Sequence, residues 1–168
     1  MLSAFQQSSS SPGQSTAGTD TLLAPAVPAV RGRYLDATPT VTASATANGR
    51  SFTLALDVAP KPGIHVYAPG NRDYLPVALT IDALPDVRLG PVQFPKANVF
   101  FFAPLNERVQ VYSQAFRLTR SVTLEGTAKP APASGVVLTG RLEYQACDDK
   151  VCYLPQTVPL SWTVPVQR

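Results

Sequence analysis

A chain of 168 residues is long enough to bury one real core, and at a net charge of +3 with no cluster of Lys or Arg it offers no nucleic-acid surface. Charged residues make up 15 %, against ~25 % in soluble domains, and the 17 prolines are about twice the usual ~5 %, which argues against a helical cytosolic protein and for a β-rich extracytoplasmic domain. Prolines and polar residues break every apolar run short of the ~18 residues a membrane helix needs, and no basic region precedes an apolar stretch at the N-terminus, so no secretory signal is visible. For an exported protein the expectation is that its signal has been removed or that the chain is a piece of a longer one.

Residues 1–30 read as a leader or linker. The first twenty are rich in Ser, Gln, Gly and Thr, and Ala24-Pro25-Ala26-Val27-Pro28 is an extended, polyproline-prone spacer. The folded domain is expected over 31–168. Residues 40–47 and 50–59 are predicted to form a hairpin around Asn48-Gly49, with Phe52, Leu54, Leu56 and Val58 on one face. Lys61-Pro62-Gly63 turns the chain into a short strand, Ile64-His65-Val66-Tyr67. Leu75 to Leu84 is predicted as a strand with Val77, Leu79 and Ile81 inward, and 87–94 as an edge strand.

Between Pro95 and Pro104 run three consecutive phenylalanines, Phe100, Phe101 and Phe102. Prolines on both sides make this a poor central strand, so a loop carrying aromatic bulk is expected. It is either a lid on the core or a flap over a reactive site. Strands follow at 107–113 and 115–124, then a linker loop at 129–135, a strand at 136–147, and a last strand in which Val158, Leu160, Trp162, Val164 and Val166 alternate with polar residues. Eight to ten short strands with turns between them and no amphipathic helix predict an all-β, immunoglobulin-like antiparallel sandwich.

The chain holds two cysteines, Cys147 and Cys152. On one straight strand their Cα atoms would lie about 16 Å apart at ~3.3 Å per residue, whereas a disulfide needs roughly 4.4–6.8 Å. The chain must turn for them to pair, and Asp148-Asp149-Lys150 is a good turn because Asp accepts bonds from nearby backbone N–H groups. The pair then sits at the mouth of a hairpin, one cysteine per arm. Up to Cys147, Val136, Leu138, Leu142, Tyr144 and Ala146 share one parity, while Thr139, Arg141, Glu143, Gln145 and Cys147 share the other. Cys147 is therefore expected on the polar face, if no bulge intervenes. Cysteines this close cannot be the inter-sheet staple of antibody domains.

Around this pair, His65 is either a strand-end residue or a proton donor or acceptor. Tyr67 and Tyr144 either pack in the core or line the site, and Tyr153 orders the hairpin arm. Lys150 would favour a thiolate and Asp148 and Asp149 would oppose it. Two cysteines and one distant histidine make no metal site, and nothing supports a cysteine hydrolase. Two readings stand: dithiol exchange, or a binding or adaptor domain with a structural hairpin disulfide worth only about 2 kcal/mol in chain entropy.

The run Tyr144-Gln145-Ala146-Cys147, then Cys152-Tyr153-Leu154-Pro155-Gln156-Thr157-Val158-Pro159-Leu160, resembles the N-terminal periplasmic domain of the DsbD family. Gly63-Ile64-His65-Val66-Tyr67 is similar to the family's aromatic strand, and Phe100-Phe101-Phe102 to its cap loop; the likeness covers roughly Pro39 to Val166. It departs in a four-residue gap between the cysteines where well-known members have five, and in Lys96-Ala97-Asn98-Val99 where the family cap is acidic. The resemblance implies a periplasmic redox domain, active as a monomer and without a bound cofactor. It implies that Cys152 is the cysteine partners attack, that Cys147 resolves, and that the phenylalanines shield the pair. Its implied partners are transient: a membrane-embedded DsbD-type domain as electron donor and thioredoxin-like periplasmic proteins as acceptors. Gln145, Asp148, Asp149 and Tyr153 are the further residues expected to line the site.

Overall fold

The computed structural model describes residues 28–43, 51–125 and 135–164. Twelve strands are found among them, all paired antiparallel. β1 (Val30–Arg31), β2 (Leu35–Ala43), β3 (Ser51–Pro60), β9 (Phe116–Leu124) and β6 (Val87–Gln93) form one sheet, in that order. β12 (Gln156–Val164), β10 (Val136–Tyr144) and β5 (Ala78–Ile81) form a second. β11 (Ala146–Cys147), β4 (His65–Tyr67), β8 (Glu107–Tyr112) and β7 (Asn98–Phe102) form a third. The architecture is an immunoglobulin-like β-sandwich.

Period-two patterning makes the core. Phe52, Leu54, Leu56 and Val58 of β3 are buried, as are Val158, Leu160, Trp162 and Val164 of β12, because alternate side chains of a strand share a face. The two sets belong to one apolar cluster, which joins the first sheet to the second. Trp162 is wholly buried and its Nε1–H donates to the Ala55 carbonyl at 3.1 Å, tying the two layers with a satisfied polar atom. Two of the prolines inside strands sit at edges, where a missing N–H costs little: Pro159 on edge strand β12, and Pro91 beside the bulge in edge strand β6.

The first predicted hairpin is observed as β2 and β3, longer at its open end; its Asn48-Gly49 turn lies outside the described residues. So do residues 44–47 of its first predicted strand, 1–27 of the leader, 129–134 of the linker loop, and Val166. The strand expected from Leu75 to Leu84 shrinks to β5. Pro76 lacks a backbone donor, Pro85 ends the segment, and Leu75 and Leu84 are both exposed.

The third sheet differs most from expectation. The phenylalanine run is not a loop but the edge strand β7, paired with β8 from Asn98↔Val111 to Phe102↔Glu107. Pro95 and Pro104 flank the strand rather than interrupt it. The hairpin closes through a 3-10 turn, Ala103–Leu105, with Asn106 in the left-handed region at φ 53°, a conformation Asn tolerates. The strand expected over 136–147 breaks at Gln145 into β10 and β11, which belong to different sheets. One face of the third sheet, with Val66, Tyr112 and Ala146, joins the main core. The other carries Tyr67, Val109, Val111 and Cys147 in a small separate cluster.

Candidate functional site

The cysteine hairpin is built by Asp148. Its Oδ1 accepts the backbone N–H groups of Lys150 and Val151, each at 2.8 Å, and its Oδ2 accepts the Tyr153 hydroxyl at 2.6 Å. The Tyr153 hydroxyl first, then the two backbone donors, hold the Asp148 carboxyl down at about 2. The Tyr153 ring stacks on Tyr34 at 4.5 Å, fixing that arm to the sandwich. Gln145 fastens the other side: its Nε2 donates to the Tyr153 carbonyl at 3.2 Å and its Oε1 accepts from Leu75 N at 3.4 Å. Asp149 and Lys150 are exposed at the tip.

Asp148 N donates to Val151 O at 3.0 Å and Tyr153 N to Ala146 O at 2.8 Å. These bonds flank Cys147 and Cys152, which therefore form a non-hydrogen-bonded antiparallel pair, the kind whose Cα atoms approach most closely. Their Cα atoms are 4.0 Å apart and the sulfurs are bonded.

The two cysteines differ sharply in access. Cys147 is 1 % exposed, whereas Cys152 is exposed to solvent. Cys147 keeps the parity read from the sequence, opposite Tyr144 and Ala146, but that face is not open to water as expected. The hairpin of β7 and β8 covers it, with Val109, Val111 and Phe100 packed around the sulfur's cluster. A disulfide sulfur carries no hydrogen, so the contact of Tyr67 with Cys152 Sγ at 3.3 Å is a bond donated by the tyrosine hydroxyl. The Tyr67 hydroxyl is pushed up in pKa chiefly by burial, so it stays protonated and remains a donor. The Tyr67 ring stacks on Tyr74 at 4.2 Å, and the Tyr74 hydroxyl donates to Glu107 Oε2 at 2.6 Å. That bond to Glu107 pushes Tyr74 up to about 12.

The turn Lys61-Pro62-Gly63-Ile64 delivers β4 to the cysteines. Ile64 N donates to Lys61 O at 2.9 Å and Gly63 has φ 77°, the positive φ that position i+2 of a type II turn demands of glycine. The turn places His65 directly opposite Cys147 in the ladder. His65 is 5 % exposed, with its ring 4.5 Å from that of Phe100. Burial pushes its pKa below the usual 6.5, against an opposite pull from Asp148.

Cys147, Cys152, His65, Tyr67, Phe100, Gln145, Asp148 and Tyr153 thus converge. The phenylalanines do not act as one block. Phe100 packs on the cysteine cluster, while Phe101, on the other face of β7, is half exposed beneath Arg108. Phe102 has the parity of Phe100 but pairs with Glu107 near the hairpin tip. Tyr144 does not line the site; it is buried in the sandwich core, since it precedes the break at Gln145. Tyr74 and Glu107 escaped the sequence reading because 33 positions separate them and neither lies in a periodic pattern. Asn71 holds the Tyr74 loop in place through bonds to Ala68 O and Gln110 O at 2.8 and 2.7 Å. Among the described residues, no three of His, Cys, Asp and Glu gather where they could hold a metal ion.

The fold is similar to the crystal structure of the N-terminal periplasmic domain of ScsB from Proteus mirabilis, with a TM-score of 0.56 and 15 % identity. The match covers 83 % of this chain and 50 % of that one, so the chain spans about half the length of this relative. No curated protein matches the chain in sequence. Residues 32–161 match the family described as thiol:disulfide interchange protein DsbD, N-terminal. With a paired cysteine hairpin inside that span and most of the sequence covered, the chain belongs to the DsbD N-terminal domain family.

Proposed function

We propose that the domain exchanges thiols and disulfides through Cys147 and Cys152, carrying two electrons per cycle. The observation that supports it best is the asymmetry of the pair: one cysteine exposed, the other buried behind it. Loading begins when a donor's thiolate attacks Cys152 Sγ. The disulfide bond breaks and its electron pair leaves on Cys147. A second donor thiol then releases Cys152, and the domain is a dithiol. Unloading begins when the Cys152 thiolate attacks an acceptor's disulfide and forms a mixed disulfide. Cys147 attacks Cys152 Sγ, and the acceptor leaves reduced. Tyr67 donates to Cys152 throughout, and such a bond is stronger when the sulfur is an anion. Phe100 keeps small oxidants from Cys147 without blocking Cys152.

On this reading the chain works in the periplasm or a similar extracytoplasmic space. Its donor is the membrane-embedded part of a DsbD-type protein and its acceptors are thioredoxin-like proteins. No helix among the described residues is long and apolar enough to cross a membrane. The test is the reduction potential of the pair, measured by equilibration with glutathione or dithiothreitol. A value of roughly −120 to −270 mV marks a pair that cycles. A value below about −300 mV marks a structural bond and would replace the relay with a stapled binding domain.

A further inference from the structure

We infer that His65 is the proton carrier for Cys147, taking the thiol's proton when Cys147 resolves a mixed disulfide and returning it when the disulfide is opened. The inference rests on thiol:disulfide exchange at this pair and names the group that makes its buried half work.

The buried cysteine poses a chemical problem. Only a thiolate attacks a disulfide, and burial in apolar surroundings raises a thiol's pKa. Cys147 lies among Tyr67, Val109, Val111 and Phe100, none of them a base. Lys150, the nearest cation in sequence, is exposed at the tip of the turn. Water reaches a residue 1 % exposed poorly. A base must therefore come from the protein.

His65 is where that base has to be. Apart from tyrosines, Trp162 and Cys147, it is the one polar or charged side chain buried among the described residues. It is the ladder partner of Cys147, and residues directly opposite in an antiparallel pair share a face, with Cβ atoms ~4.5–5.5 Å apart. The other groups turned toward it are few. Asp148 follows Cys147 on the same hairpin, Tyr67 meets the imidazole edge-on at 6.1 Å, and Phe100 of β7 covers it. Burial keeps the ring neutral near pH 7, the form that accepts a proton, and the Asp148 charge favours the imidazolium once it forms.

The step balances. In the mixed disulfide, Cys152 is bonded to the acceptor's sulfur and Cys147 is a thiol. His65 takes the Cys147 proton, and the freed electron pair forms the Cys147–Cys152 bond. The bond from Cys152 to the acceptor breaks, and its pair leaves on the acceptor's sulfur. The imidazolium then gives up its proton to that thiolate or to water. The dithiol is oxidised by two electrons and the acceptor is reduced by two.

The experiment mixes reduced protein with the chromogenic aryl disulfide dithiobis-nitrobenzoate and follows the two coloured thiolates released in turn. The first reports attack by Cys152, the second resolution by Cys147. In the native protein the second rate should rise with pH and level off below pH 6.5, as His65 loses its proton. In His65→Phe, which keeps an aromatic ring against Phe100, the second rate near pH 7 should fall by ~10²-fold or more, the usual contribution of a positioned general base. The rate should then climb only through alkaline pH, as Cys147 ionises unaided. Coincident native and variant profiles would overturn the assignment. A missing first release would instead overturn the exchange reading itself. A measurement without a variant guards against misfolding: the chain has one histidine, so its ring gives a single Cε1–H NMR signal. In reduced protein that signal should show an alkaline inflection from Cys147 that the oxidised protein lacks; its absence would also overturn the assignment.

Discussion

Replacing Tyr67 by Phe removes one hydroxyl, the donor that reaches Cys152 Sγ at 3.3 Å. The ring keeps its stack on Tyr74 at 4.2 Å, so the change is electrostatic rather than one of packing. In reduced protein the hydroxyl faces a sulfur that is a thiol or a thiolate. A hydrogen bond to a charged acceptor contributes ~1.5–3 kcal/mol, and one pKa unit corresponds to ~1.4 kcal/mol. The Cys152 pKa should therefore rise by about one to two units in Tyr67→Phe. The assay is the pH dependence of iodoacetamide alkylation in a Cys147→Ser background, where Cys152 is the only thiol, with melting temperatures matched as a folding control. An unchanged midpoint would refute the claim that Tyr67 stabilises the thiolate.

Two further predictions concern the cover and the turn. Phe100→Ala should speed alkylation of Cys147 in the reduced domain and cost about 1–2 kcal/mol, less than the ~3–5 of a fully buried Phe, because Phe100 is only partly buried. Phe101→Ala, changing a half-exposed ring on the far face of β7, should leave the alkylation rate as it is. Asp148 titrates at about 2 in the fold against an ordinary 3.8, so its contribution to stability is fully present above pH 3.8 and is lost as pH falls toward 2. Asp148→Asn should remove that part of the acid dependence of the melting temperature; a variant with the native acid profile would show that the turn does not depend on the charge.

Local pattern carried much of the fold. The alternation in β3 and β12, the Lys61-Pro62-Gly63 turn and the Asp148 turn all act over a few residues, and each is readable where it stands. What the pattern left out is what lies above a face. Cys147 has the parity of Glu143 and Gln145, yet it is sealed by a hairpin some forty positions earlier in the chain. The same limit separates Tyr67 from Tyr144: both are buried aromatics in strands, but one faces the small cluster and the other the sandwich core. The strand through Phe100–Phe102 went unread because prolines at its two ends give a loop-like composition, although neither proline lies within the paired residues.

The bonds that close the cysteine hairpin do not involve sulfur. Asp148 grips the turn, Tyr153 is clamped between Asp148 and Tyr34, and Gln145 crosses from arm to arm. None of these contacts uses a sulfur atom, so opening the disulfide breaks none of them directly, and the reduced hairpin is expected to keep its outline. On the proposed relay, little of the driving force would then be spent on rearranging the protein, and a donor and an acceptor would meet the same surface at different moments. In such a relay shape would not tell them whether the domain is loaded; that information would lie in the sulfurs, and the order of potentials would set the direction of flow.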